Sequence, residues 1–600
     1  MSGYKSKSVS LSGRSMCGRW SLCNLITLAM ILQCAVISEP MRGQVATPAN
    51  EQKTTIHGVV TNSVTHEPVG HALVFSADGR LGTLTDDQGR FEFVLPQTAD
   101  AGSREGSTGS EVTVSFTGGG FGGWLNARKP GFLDSTDPFA RRWGQIPATG
   151  VPPAPGVELT IPLTPEALIF GKVNLPGATG ADRITVQLQR RRVVDGRARW
   201  EEATAVNTRA NGEFRLFGLE AGTYKLLTNE VMDRDPLTAD PRGPMMGYPP
   251  VYFPNASDFQ SAGTIELKAG ATFQAELSPV KQAYYAVKIP IANPPEGSYV
   301  EVAVQGQKGP GFELGYNQAE QRIEGSLPNG RYVVEAFSDG EQPAFGLASI
   351  MIEGGAVEAP AMTLAPGSFV QVKANADFKQ NAETLAQGEI EDREKFPSLE
   401  AQGQNLRVRL QPEDETVTRH SGIWSTTAGG DVLTFGRLLP GQYWVKMDAL
   451  RGYVAAATLG DVDLLRRPLR VGRGETLTVE VTLRDDGAEI AGTIEGLNAP
   501  EGAEAKVGEA TSEPAAYVYC VPLPDSSGQF RQSRVVRDGK FDLKQVAPGA
   551  YRVMAFAHPQ NEMEYHNSEA MRAHDTMGQV VRVNAGQKES LRLPLLAGSE

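Results

Sequence analysis

His566-Asn-Ser-Glu569 has the His-x-x-Glu spacing of two zinc ligands, and His558 and His574 lie nearby in sequence. A catalytic zinc needs three protein ligands and an open position. A hydrolase built on that pair would also need a large α/β domain carrying a distant third histidine, and no helix-rich stretch of that size occurs. The three histidines fall in a loop before the last strands, so they are expected to be structural or solvated, with no metal and no cofactor. No HExxH, GxSxG, P-loop or GxGxxG stands in a supporting context. Acidic pairs such as Asp86-Asp87 sit in turns, where they favour the bend. No catalytic residue is assigned, and a non-enzyme is expected.

Aromatic residues offer a second kind of chemistry. Tyr248, Tyr252 and Phe253 lie in the Pro-rich stretch Gly247–Phe259, and Trp124 ends the run Gly118-Gly-Gly-Phe-Gly-Gly-Trp124. Rings in such loops can stack on sugar faces or hold a peptide, so these four are the candidate ligand-binding residues. The alternative is that the rings around Tyr252 pack across the joint with the following module. Cys520 lies in the apolar run Ala516–Val521 and is expected to be a buried, inert thiol. Arg190, Arg191, Arg192, Arg197 and Arg199 flank an Asp195-Gly196 turn, where charge would guard an exposed sheet edge against pairing. Glu383 to Glu400 is a polar, acidic insertion.

The elements that must position these groups are strands. Apolar and polar residues alternate in Phe91–Leu95, Val112–Phe116, Ile184–Leu188, Val300–Val304 and Leu406–Leu410. That alternation fits antiparallel sheets with one face on a core. Asp78-Gly79, Asp195-Gly196, Asn211-Gly212 and Asp538-Gly539 suit tight hairpins, whose turns need positive φ. Leu/Val-x-x-Gly-x-Tyr recurs at Leu219–Tyr224, Leu327–Tyr332, Leu438–Tyr443 and Val546–Tyr551. The copies are roughly 110 residues apart, the size of a domain rather than of a solenoid repeat. A Gly-marked closing strand follows each tyrosine, and module two has the longest stretch before it. The boundaries expected are 1–46 for a signal peptide, then modules at 47–165, 166–280, 281–366, 367–485 and 486–600.

Thr55–Val60, Glu67–Val74 and Thr85–Phe93, with their Gly-Val-Val, Glu-Pro-Val and Asp-Asp-Gln-Gly-Arg-Phe motifs, resemble the carboxypeptidase regulatory-like domain. The resemblance extends to 166–230 and 487–600, while modules three and four share only the Gly-x-Tyr corner. It implies a transthyretin-like, or prealbumin-like, β-sandwich, grouped with carbohydrate-binding-like and Ig-like folds, in exported bacterial proteins.

Lys5, Lys7, Arg14 and Arg19 precede an apolar stretch, Leu25–Ile37, of signal-peptide length. Cys17, Cys23 and Cys34 lie inside this leader, which leaves Cys520 without an internal partner. The net charge of −13 argues against nucleic-acid binding, and no segment beyond the leader is apolar enough to span a bilayer. Together these features predict an all-β protein of tandem Ig-like or prealbumin-like antiparallel sandwiches in an elongated row. It would be secreted, periplasmic or on the cell surface, and would bind or scaffold, with polysaccharide, peptide or another envelope protein as partner. The alternative role is an accessory subunit docked on a hydrolase or outer-membrane transporter; an enzyme is the remote one.

Overall fold

Strand alternation becomes buried cores in the computed structural model, which describes residues 54–597. Outside the description lie 77–80, 96–124, 134–157, 176–182, 234–243, 294–299, 339–343, 380–399, 414–423, 428–431, 498–514, 536–538 and a few single or paired positions. Five separate apolar cores form, over residues 56–163, 167–277, 287–364, 370–483 and 488–593. Each belongs to a β-sandwich, numbered here one to five along the chain. Among the described residues the only α-helix is the single turn Ser568–Met571. No helix there is long and apolar enough to cross a membrane.

Sandwich two shows the plan. Ala167–Val173 lies between Glu213–Leu219 and Thr272–Leu277 in one sheet. The facing sheet is ordered Ile265–Leu267, Gly222–Thr228, Thr185–Val194, Arg197–Asn207. Phe214 and Leu216 point into the core as their alternation requires, and a bulge after Leu216 returns Leu219 to the same face. The corner tyrosines are scaffold. The hydroxyl of Tyr224 donates to the Glu220 carbonyl at 2.9 Å, Tyr332 to Pro328 at 3.0 Å and Tyr551 to Ala547 at 2.5 Å. Each buries its ring and reaches back four residues to satisfy the backbone at the bend.

The closing strands depart from the antiparallel expectation. Thr272–Leu277 runs parallel to the first strand of its own sandwich. The same parallel closure joins Thr54–Asn62 to Glu158–Leu163, Ser368–Asp377 to Thr476–Arg484, and Ala488–Glu495 to Lys588–Leu596. In sandwiches one, two and five a glycine of the first strand lies close against the partner strand, whereas Ser368–Asp377 has none. A Cβ on Gly171 would lie 1.7 Å from the Ala275 carbonyl oxygen; on Gly492, 2.1 Å from that of Leu591; on Gly58, 2.3 Å from that of Leu159. In all three the ring of the facing Phe (Phe214, Phe541, Phe91) covers the same spot.

Two sandwiches depart from the plan. In the third, Gln282–Pro290 meets the last strand only at Val357–Glu358, with a further bridge from Ile291 to Met362. The same edge of that strand is instead covered by residues of sandwich two. Val231–Met232 and Met245–Tyr248, from the long insertion of sandwich two, form a hairpin that pairs with Gln282–Pro290. In the fifth, Gly549–Phe556 pairs with Lys588–Leu596 and joins the two sheets into one. Residues after Phe556 then cover the outer face, burying Tyr519, Met554 and Met563 in a second small core. Cys520, on the inner face, is fully buried, and burial pushes its thiol far above the ordinary range.

Candidate functional site: a junction of three sandwiches

The Thr185–Val194/Arg197–Asn207 hairpin turns through Asp195 and Gly196, at φ 49° and 73°. That pair of left-handed residues makes the tight two-residue turn expected of Asp-Gly. Asn211-Gly212 differs: only Gly212 takes positive φ, and the bend is closed by Glu213 and Arg209. Asp78-Gly79 and Asp538 lie outside the described residues, as do Val112–Phe116 and nearly all of the acidic insertion 383–400.

The hairpin tip does not end in solvent. It reaches sandwiches four and five. Arg409 donates to the Asp195 carboxylate at 2.8 Å, and the Arg197 guanidinium lies 3.6 Å from the centre of the Trp444 ring. From sandwich five, the His566 amide donates to the Gly196 carbonyl at 3.1 Å. Glu564 accepts from Arg191 at 2.6 Å. Gly196 is pressed on Tyr565, where a Cβ would lie 2.6 Å from the ring, and Tyr565 stacks on Phe530 at 4.2 Å and 4°. Protein packed around His566, followed by the Arg197 and Lys446 charges, holds its imidazole below the ordinary histidine range although its surface remains accessible.

The arginine run therefore needs a different account from edge protection. Arg197–Asn207 is an edge strand, but Arg191 and Arg197 hold other sandwiches, Arg190 pairs with Glu220, and Arg199 pairs with Glu201. Contacts between sandwiches two, four and five are also more than a row joined neighbour to neighbour would make.

Of the expected ligand residues, Tyr248 and Tyr252 lie at the joint with sandwich three, and Phe253 packs on the core of sandwich two. Tyr248 and Tyr252 are each 1% exposed. The Tyr252 hydroxyl donates to the Pro310 carbonyl of sandwich three at 2.7 Å, and its ring meets Phe259 edge-on at 6.0 Å. Phe253 meets Phe273 edge-on at 5.6 Å. Beneath them Lys225 donates to the Phe259 carbonyl at 2.6 Å and lies 5.0 Å from the Trp200 ring. A sugar or peptide would have to open this packing to reach Tyr248 or Tyr252, so the cross-joint alternative describes their geometry. Trp124 lies outside the described residues.

At the same joint Glu230 accepts from the Glu313 amide at 2.7 Å. Burial pushes its carboxyl up to about 7, against the opposing effect of that bond and of Tyr284. Another ionic knot fixes the end of sandwich four where the chain leaves for five. Asp485, 1% exposed, accepts from Arg451 and from the Lys379 amide, while Asp486 accepts from Lys379 and the Tyr453 hydroxyl. His566, His574 and Glu569 do not converge, and no group of three metal-ligating side chains occurs among the described residues. These polar clusters can position sandwiches. None pairs a nucleophile with a base.

No family model matches the chain, and no curated protein does. Among solved structures it is similar to the Bacillus anthracis TIE protein, at 10% identity over 72% of this chain and 68% of that one, with a TM-score of 0.13. BcpA, the major pilin subunit of Bacillus cereus, matches at 11% identity over 53% of this chain and 99% of that one, with a TM-score of 0.13. The Streptococcal ancillary pilin matches at 12% identity over the same shares, with a TM-score of 0.18. At TM-scores this low the likeness does not extend to the arrangement of the strands or to a role.

Proposed function

We propose that this chain is an exported, non-enzymatic scaffold of the bacterial envelope, built from five domains bounded near 165, 280, 366 and 485. The observation that carries the reading is where its polar side chains go. Arg191, Asp195, Arg197, Arg409 and Glu564 tie one sandwich to another. Export rests on the basic and apolar leader, and the carboxypeptidase regulatory-like resemblance rests on the motifs in sandwiches one, two and five. Scaffolding is favoured over carbohydrate or peptide recognition because Tyr248 and Tyr252 are enclosed.

Two measurements test this. N-terminal sequencing of protein from the native envelope fraction should find a start between residues 38 and 47; a cytoplasmic protein keeping its leader would sink the export claim. A glycan array should show no selective binding. Binding abolished by Tyr252→Ala would restore the recognition reading in place of the scaffold.

A further inference from the structure

We infer that the chain is built to carry tension along its length, with the junction of sandwiches two, four and five shielding the third. This deepens the scaffold reading and rests on it. Four sandwiches are closed by a parallel pairing of their first and last strands. In sandwich four Phe369 lies opposite Thr476 and Asp377 opposite Arg484. The chain enters this pair at one end and leaves at the other. A pull between entrance and exit acts along both strands in opposite directions, so the whole ladder is loaded at once. A pull on the two strands from the same end would break the bonds one after another.

Bonds beyond each pairing lengthen the clasp. The Leu168 amide donates to Ala271 and that of Asn174 to Leu277, at 2.9 and 2.8 Å, and the Phe369 amide donates to Glu475 at 2.8 Å. In sandwiches one, two and five a glycine of the first strand lies against a carbonyl of the last, where a Cβ would clash, while Ser368–Asp377 pairs over nine positions without one. Resistance to force follows the unfolding rate, and bonds that must all yield together raise that barrier.

Sandwich three is the exception. Its first strand meets the last only at Val287–Val357 and Lys288–Glu358, besides the Ile291–Met362 bridge. It is also the sandwich lying in sequence between those that the hairpin tip joins. Through Asp195–Arg409, Arg197–Trp444 and Arg191–Glu564 the load passes from sandwich two directly to four and five. The weakest clasp is thus bypassed until the junction opens.

The test is single-molecule pulling on the full chain. Held at its two ends, it should yield sandwich three at the lowest force, identified by a release of about 85 residues, roughly 300 Å. Sandwich four should resist most. Moving one handle from the C-terminus to Arg473→Cys, an exposed turn before the last strand of sandwich four, loads that clasp from one end. Cys17, Cys23 and Cys34 are changed to Ser for this attachment. The unfolding force of sandwich four should then fall several-fold. Equal forces in the two geometries would overturn the tension-bearing claim. With Arg197→Ala and Arg409→Ala, sandwich three should yield earlier in extension while the force for four stays the same; no change would overturn the shielding. An unexported protein that still shows the directional difference would defeat the scaffold reading alone, and the reverse result would defeat the inference alone.

Discussion

At the scale of single residues, the most demanding positions are the glycines of the first strands. Gly171→Ala would set a methyl group against the Ala275 carbonyl and the Phe214 ring. Overpacking of this kind costs about 1–3 kcal/mol or more, so thermal unfolding of sandwich two should move down by several degrees. Tyr224→Phe, which loses one hydroxyl bond, should cost only about 1 kcal/mol. The corner tyrosines were legible because their spacing repeats. The glycines were not, since a strand glycine ordinarily signals weakness or a bulge, and its parallel partner lies about 100 residues away. Glu230 was equally hidden. Its folded-state value of about 7 exceeds the ordinary 4.5, so its contribution favours the fold at low pH and is lost as pH rises from 4.5 through 7. Glu230→Gln should leave stability unchanged below pH 4.5 and raise it by about 1–2 kcal/mol above pH 7. Denaturant midpoints at pH 5 and pH 8 measure this, and an equal shift at both would count against the assignment.

At the scale of elements, the hairpin over 185–207 was readable as a hairpin and unreadable as a clamp. Its turn residues and alternation are local. Its partners Arg409, Trp444, Glu564 and Tyr565 are hundreds of positions away, with no pattern linking them. The long insertion misled in a related way: aromatic residues in a Pro-rich stretch suggest a loop, whereas Met245–Tyr248 is a strand of the next sheet. Asp195→Cys with Arg409→Cys, joined by a bifunctional thiol reagent long enough to replace the arginine side chain, reports whether the junction still closes through Arg191 and Arg197. Adding Gly196→Ala should lower the cross-link yield by wedging the tip off Tyr565, with the circular-dichroism spectrum unchanged. The junction should also loosen in acid. His566 titrates below its ordinary value in the folded chain, so the stability it contributes is present above about pH 6.5 and is lost as pH falls. Denaturant midpoints followed from pH 7 to pH 4 should decline, and His566→Asn should flatten the decline.

At the scale of the whole molecule, each Gly-x-Tyr corner lies in a different buried core, as it must where each sandwich buries its own apolar face. How the sandwiches hold one another was invisible, since ion pairs between domains leave no periodic trace. That changes what proteolysis should reveal. The link at 485 would be an open site in a simple string, but here Arg451 neutralises the buried Asp485. Removing one partner of such a pair costs about 3–5 kcal/mol. Arg451→Ala should therefore make the chain cleavable near 485 under conditions where the parent resists, with fragments sized by mass spectrometry. Equal resistance in both would show that the knot does not protect this joint.

In a chain shortened by the cleavage that the export proposal expects, Cys520 would be the sole sulfhydryl, and it is sealed inside the last sandwich. The molecule thus carries its own chronometer. A thiol-reactive dye applied to intact cells marks only those copies whose final domain has come apart, and the marked fraction records how often that happens where the protein lives.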